Sequence, residues 1–117
     1  MWNMIGQYRD GNGIVKTGWV YLNNIWYYLN ASGAMQVGWM NQNGTWYYLY
    51  GNGKMATGLA LIGNDWYYFN GNGNMITGWA MIGDSWYYLD GNGAMLTGKQ
   101  IIGGNVWYFD RDGVWMG

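Results

Sequence analysis

The chain has 117 residues, a formal net charge of −1 and only 9% charged side chains, and it contains no Cys, His, Pro or Glu. Without His or Cys there is no Ser-His-Asp triad, no cysteine nucleophile and no ordinary zinc site, and without a basic field nucleic acid is a poor partner. No apolar run is long enough to span a membrane, the absence of Cys leaves the redox compartment unread, and Met1-Trp2-Asn3-Met4 has neither the charged nor the apolar region of a signal peptide.

What the chain does hold is 10 Trp, 12 Tyr and 22 Gly. So many rings beside so many backbone-permissive positions point first to internal repetition. Gly18-Trp19, Gly38-Trp39, Gly58-Leu59, Gly78-Trp79 and Gly98-Lys99 recur every 20 residues. Trp26-Tyr27-Tyr28, Trp46-Tyr47-Tyr48, Trp66-Tyr67-Tyr68 and Trp86-Tyr87-Tyr88 keep the same period, and Trp107-Tyr108-Phe109 reads as a fifth copy one residue late. Gly33, Gly53, Gly73 and Gly93 each stand two residues before Met35, Met55, Met75 and Met95. Residues 1–117 therefore form one tandem module of about five full units. Its first unit is degenerate, with Tyr8, Gly13 and Val15 in place of the usual ring, glycine and Met, and its last stops soon after Trp115. No separate catalytic domain fits in this length.

In chain order, residues 19–22 and 25–29 open the array with ring and branched side chains that favour strands. Asn23-Asn24 lies between them, and later units place Asn43-Gly44, Gly63-Asn64 and Gly83-Asp84 there. Such pairs suit type I′ and II′ hairpin turns, which need positive φ. The fifth unit offers Gly103-Gly104-Asn105, expected as a three-residue loop. After each hairpin comes a second turn, such as Asp90-Gly91-Asn92-Gly93.

A two-residue turn fixes the register, so Trp19, Tyr21, Trp26 and Tyr28 share one face and Val20, Leu22, Ile25, Tyr27 and Leu29 the other. Neither face is polar, and one hairpin alone is marginal in water. The expected architecture is all-β, a solenoid of tandem hairpins of about 20 residues in which each unit covers the next. Tyr27, Tyr47, Tyr67 and Tyr87 read as core, on the face that carries the aliphatics. The indoles lie on a face without branched filler, where ring walls can stay partly open at the junctions. Open ring faces attract a poorly hydrated cation such as a quaternary ammonium, and they also stack on sugars. Physical chemistry alone leaves both uses open, together with simple junction packing.

Other motifs carry little. Gly-x-Gly at Gly11, Gly51, Gly71 and Gly91 follows the repeat and lacks the helix of a phosphate loop. Asp110-x-Asp112-Gly113 reads as a turn rather than a calcium loop. Asp84 and Asp90 fall in turns and do not suggest a glycosidase pair, and Ser32 and Ser85 have no base. No enzymatic activity, metal or cofactor is expected. So few charges imply exposed apolar surface, on which a homodimer could form.

The run Thr77-Gly78-Trp79, a short spacer, Trp86-Tyr87-Tyr88-Leu89-Asp90 and then Gly93-Ala94-Met95-Leu96-Thr97-Gly98 resembles the choline-binding repeat of cell-wall-binding modules in autolysins, phage lysins and surface proteins of Gram-positive bacteria. The resemblance covers nearly the whole chain. It implies a left-handed, roughly three-fold superhelix at the bacterial surface, attached to a catalytic or surface domain. It also implies that choline of teichoic acid sits between consecutive hairpins in a cage of rings. Carried over by position, one site uses Trp19, Trp26 and Tyr48 with Met55, and a second uses Trp39, Trp46 and Tyr68 with Met75. Leu59 replaces an indole, so Trp66 and Tyr88 with Met95 make a poorer site. Trp79, Trp86 and Phe109 make another, with Phe in place of Tyr. Lys99 replaces an indole and repels a cation, so no good site is expected at Trp107. The carbohydrate-binding repeats of clostridial toxins and streptococcal glucosyltransferases look similar but usually lack the Trp that opens Trp-Tyr-Tyr. Five copies of that Trp favour choline over glucan.

Overall fold

The computed structural model describes residues 7–117; the expectation about a leader on residues 1–4 lies outside them. The described chain is built from ten strands of five residues each: β1 (Gly18–Leu22), β2 (Ile25–Leu29), β3 (Gly38–Gln42), β4 (Thr45–Leu49), β5 (Gly58–Ile62), β6 (Asp65–Phe69), β7 (Gly78–Ile82), β8 (Ser85–Leu89), β9 (Gly98–Ile102) and β10 (Asn105–Phe109). Consecutive strands pair antiparallel into five separate two-stranded sheets. Two compact units result, the first ending at Ala56 and the second comprising Thr57–Gly117. Among the described residues no helix is long and apolar enough to cross a membrane.

The hairpin turns take the backbone their sequences suggest. Asn23 and Asn24 have φ of 52° and 67°, and Asn43 and Gly44 have 53° and 90°, the double positive φ of a type I′ turn. At Gly63-Asn64 and Gly83-Asp84 only the glycine is positive, which is the type II′ pattern. The pairing Trp19 with Tyr28 and Tyr21 with Trp26 follows, and it repeats in every hairpin.

The fifth hairpin corrects the sequence reading. Ile102 pairs with Asn105 across a two-residue Gly103-Gly104 turn, φ 60° and 83°, so there is no inserted residue. Phe109 pairs with Gly98 as Leu89 pairs with Gly78, and Trp107 pairs with Gln100 as Tyr87 pairs with Ala80. The 20-residue period is unbroken. Val106 stands in the place of Trp86, Trp107 in that of Tyr87, and Phe109 in that of Leu89. A two-residue turn satisfies the ladder where a longer loop would shift every side chain to the other face. The opening Trp is therefore kept by four hairpins and not by five.

Each hairpin closes on the segment that follows it. Leu29, Leu49, Phe69, Leu89 and Phe109 form isolated bridges to Met35, Met55, Met75, Met95 and Trp115. These five strand residues are the largest fully buried side chains, each contributing about 1.5–3 kcal/mol of hydrophobic stabilisation. The turn before each bridge is held by a side-chain oxygen. Oδ1 of Asp90 accepts from the N–H of Asn92 and of Ala94 at 2.9 and 3.0 Å, and Asp10, Asn30, Asn70 and Asp110 do the same. In these turns Gly53, Gly93 and Gly113 are buried with φ of 84–87°, and a Cβ there would meet the Sδ and Cγ of Met35, Met75 and Met95 respectively. Neighbouring repeats thus pack backbone against thioether. Coverage is incomplete at the hairpin tips, where Tyr21, Leu61, Met81 and Ile101 stay exposed.

Candidate functional site

The site begins with the strand register. Trp79 on β7 and Trp86 on β8 project from the same face of one hairpin, and their rings meet edge to face at 6.4 Å and 84°. Tyr88 packs on the flank of Trp79 at 5.1 Å. This corner recurs at Trp19–Trp26, 6.3 Å and 84°, and at Trp39–Trp46, 6.2 Å and 84°. Trp26, Trp39, Trp46, Trp79 and Trp86 all remain partly exposed.

In the second unit the next hairpin and its closing segment complete the corner. Trp107 on β10 stands 5.1 Å from Trp79, and Trp115 stands 6.4 Å from Trp79 and 5.8 Å from Trp107. The N–H of Trp115 donates to the carbonyl of Trp86 at 2.8 Å, which places its ring beside the corner. Nε1 of Trp107 donates to the carbonyl of Ile102 at 3.2 Å, fixing that ring and satisfying its polar atom. Trp79, Trp86, Trp107 and Trp115 line an open pocket of about 340 Å³ with no charged side chain in its wall.

The first unit repeats the plan with other residues. Tyr47 of β4 stands 4.9 Å from Trp19, and the N–H of Met55 donates to the carbonyl of Trp26 at 3.0 Å. Nε1 of Trp19 donates to Oε1 of Gln42 at 3.0 Å. Met55 occupies the place that Trp115 takes in the second unit, 36 residues after the first indole in each case.

These positions depart from the sequence expectation. The ring that reaches Trp19 from the next hairpin is Tyr47, whereas Tyr48 packs on Trp39 of its own hairpin at 5.0 Å. In the second unit the ring so placed is Trp107. Phe109 lies tilted against Trp79 at 5.6 Å but is buried at 2% exposure and does not line the cavity. The reason is alternation: the second residue of Trp-Tyr-Tyr lies on the opposite face from the first, and within each unit that residue's position supplies the ring that reaches the preceding corner. Tyr27, Tyr47, Tyr67 and Tyr87, read from sequence as core, are only half-buried. Trp39 and Trp46 belong to the first unit, while Tyr68 and Met75, grouped with them from sequence, belong to the second. There Tyr68 pairs with Leu59, and Met75 bridges Phe69.

The third position differs in chemistry. Leu59 pairs with Tyr68 where Trp79 pairs with Tyr88. Met95 donates its N–H to the carbonyl of Trp66 at 2.8 Å, the same junction bond as before. Trp66, Tyr87 and Met95 line a cleft of about 460 Å³ whose rim carries Asp65, Arg111 and Asp112. Here too Tyr87 rather than Tyr88 faces the cleft. One strand residue away from this rim, burial pushes the Tyr67 phenol above its ordinary value, aided by the negative charges of Asp65 and Asp90.

Family models match along the chain: a choline-binding repeat over residues 56–99, and a putative cell wall binding repeat over residues 17–35, 37–55 and 99–114. The choline-binding domain of Spr1274 from Streptococcus pneumoniae is 34% identical with a TM-score of 0.61, over 70% of this chain and 96% of that one. The chain belongs to the choline-binding repeat family. It is thus a choline-binding repeat module with aromatic clusters, and its all-β hairpin repeats are those of the family's solenoids. CbpJ from Streptococcus pneumoniae TIGR4 is 49% identical with a TM-score of 0.90, over 94% of this chain and 39% of its own. The multimodular pneumococcal cell wall endolysin from phage Cp-1, solved in complex with choline, is 31% identical with a TM-score of 0.68, over 99% of this chain and 36% of its own. The choline-binding repeats here therefore span well under half the length of these two relatives. No curated protein sequence is significantly similar to the chain.

Proposed function

We propose that residues 1–117 form a non-catalytic module that holds its parent protein at a Gram-positive cell wall by recognising the choline of teichoic acids. The observation that carries this reading is the open pocket of about 340 Å³ lined by four indoles, Trp79, Trp86, Trp107 and Trp115, with no charge in the wall. Such a box suits a trimethylammonium head. Its charge is spread over methyl groups that give up little hydration, and the ring quadrupoles face it. Each ring contributes about 0.5–2 kcal/mol, so three or four rings give an affinity near millimolar. A polymer carrying many choline groups raises that by about 10²–10⁴ when several boxes are occupied together. In the first unit Trp19, Trp26, Tyr47 and Met55 form the matching set, with a thioether in place of the fourth indole. The complex of the phage Cp-1 endolysin with choline supports the same ligand class.

The discriminating experiment compares choline with 3,3-dimethylbutan-1-ol, its neutral isostere. Choline and tetramethylammonium should quench indole fluorescence and raise the melting temperature at millimolar concentration, with the isostere at least about tenfold weaker. Equal binding of the neutral compound would reduce the cavity to an ordinary apolar pocket and overturn the proposal.

A further inference from the structure

The cleft headed by Leu59 is built for a different guest. Its floor keeps one indole, Trp66, and one phenol, Tyr87, since Leu59 stands where the other clefts have Trp. Leu59 offers no ring quadrupole, so fewer ring faces line this cleft than line the four-indole pocket. The rim is polar where the four-indole cavity is wholly apolar. Asn64, Asp65, Arg111 and Asp112 bring amide, carboxylate and guanidinium groups to one edge. Arg111 forms no direct ion pair with Asp65 or Asp112, so its N–H groups and both carboxylates are open to a guest.

We propose that this cleft binds a neutral pyranose, a sugar ring of a polysaccharide, rather than an alkylammonium. The apolar face of a pyranose suits a single indole, and its hydroxyls both donate and accept. Carboxylates can take the donated hydrogens and the guanidinium fork can supply donors to the remaining oxygens. A trimethylammonium has no N–H or O–H to give Asp65 or Asp112, so it would leave the hydrogen-bonding groups of the rim unused. The volume agrees: about 460 Å³ against 340 Å³ leaves room for a ring with its substituents. A choline box and a sugar cleft in one unit would let the module read two parts of the wall at once.

The test uses the full chain labelled with ¹⁵N and the indole N–H signals assigned. With choline saturating, a β-linked N-acetylglucosamine tetramer and an α-linked glucose trimer are titrated separately. At least one sugar should move the Trp66 signal in the millimolar range while Trp86 stays still. Arg111→Ala and Asp65→Asn alter exposed rim groups, and each should weaken the sugar by about tenfold or more. Leu59→Trp should convert the cleft, adding one choline equivalent and weakening the sugar by about tenfold. The proposal is overturned if neither sugar moves Trp66, or if choline moves Trp66 at the concentration that moves Trp86. Because Trp86 is read in the same spectra, failure of the sugar cleft is distinguished from failure of the choline boxes.

Discussion

The backbone N–H of Trp115 donates to the carbonyl of Trp86 at 2.8 Å, so a closing segment of one hairpin is tied to the strand of the hairpin before it. The same bond runs from Met95 to Trp66 and from Met55 to Trp26. It belongs to the backbone, so the side chain at the donor is free to vary. The chain uses this freedom to place a thioether in two clefts and an indole in the third.

The fifth-hairpin register separates two neighbouring residues. Val106 is 46% exposed and outside the cavity, so Val106→Ala should change stability by no more than about 0.5 kcal/mol and leave choline binding intact. Trp107→Ala removes a cavity wall and should weaken choline at Trp86 by about tenfold, read from the indole signals. The reverse pattern would restore the one-residue shift.

Gly93→Ala places a methyl at φ 87° against the Met75 thioether. Strain and overpacking together should cost about 1–3 kcal/mol in urea unfolding. Gly91→Ala, in the same turn with open space around it, should cost within about 0.5 kcal/mol. Equal losses would remove the packing argument.

The Asp10 carboxyl lies below its ordinary 3.8, chiefly because the backbone N–H groups of Ile14 and Asn12 donate to it, with Lys16 adding to the effect. A lowered folded value means that its contribution is present above 3.8 and is lost as pH falls through the folded value. Asp10→Asn should abolish that pH-dependent part of the loss while keeping the turn, because Asn30 and Asn70 already accept the same pair of bonds. Acid unfolding curves of the two proteins check this.

Tyr67 titrates in the opposite sense. Burial, then Asp65 and Asp90, raise its phenol above the ordinary 10.0. The unfolded chain releases this proton first, so stability is full below pH 10 and falls as pH rises toward the folded value. Tyr67→Phe should flatten that alkaline limb in melting curves. An unchanged limb would show that the phenol is not held neutral.

Period, turn type and strand pairing were legible in the residues because all three are local. Positive φ at Asn-Gly and Gly-Asp pairs, alternation of faces, and a side-chain oxygen that accepts from the amides two and four residues on involve neighbours in the chain. The pairs Trp19–Trp26 and Trp79–Trp86 follow from these alone. The rings that meet Trp19 and Trp79 do not, since Tyr47 and Trp107 come from the next hairpin of the same unit, where the repeat pattern points to Tyr48 and Phe109. Their signal was the alternation itself, applied to both hairpins at once. The frame of the fifth hairpin was hidden because Trp107-Tyr108-Phe109 imitates the motif one residue out of step. Only the ladder, which must pair Ile102 with Asn105 and bury Phe109 beside Trp79, decides which residue faces the cavity, and therefore whether a cleft is walled by indoles or rimmed by charges.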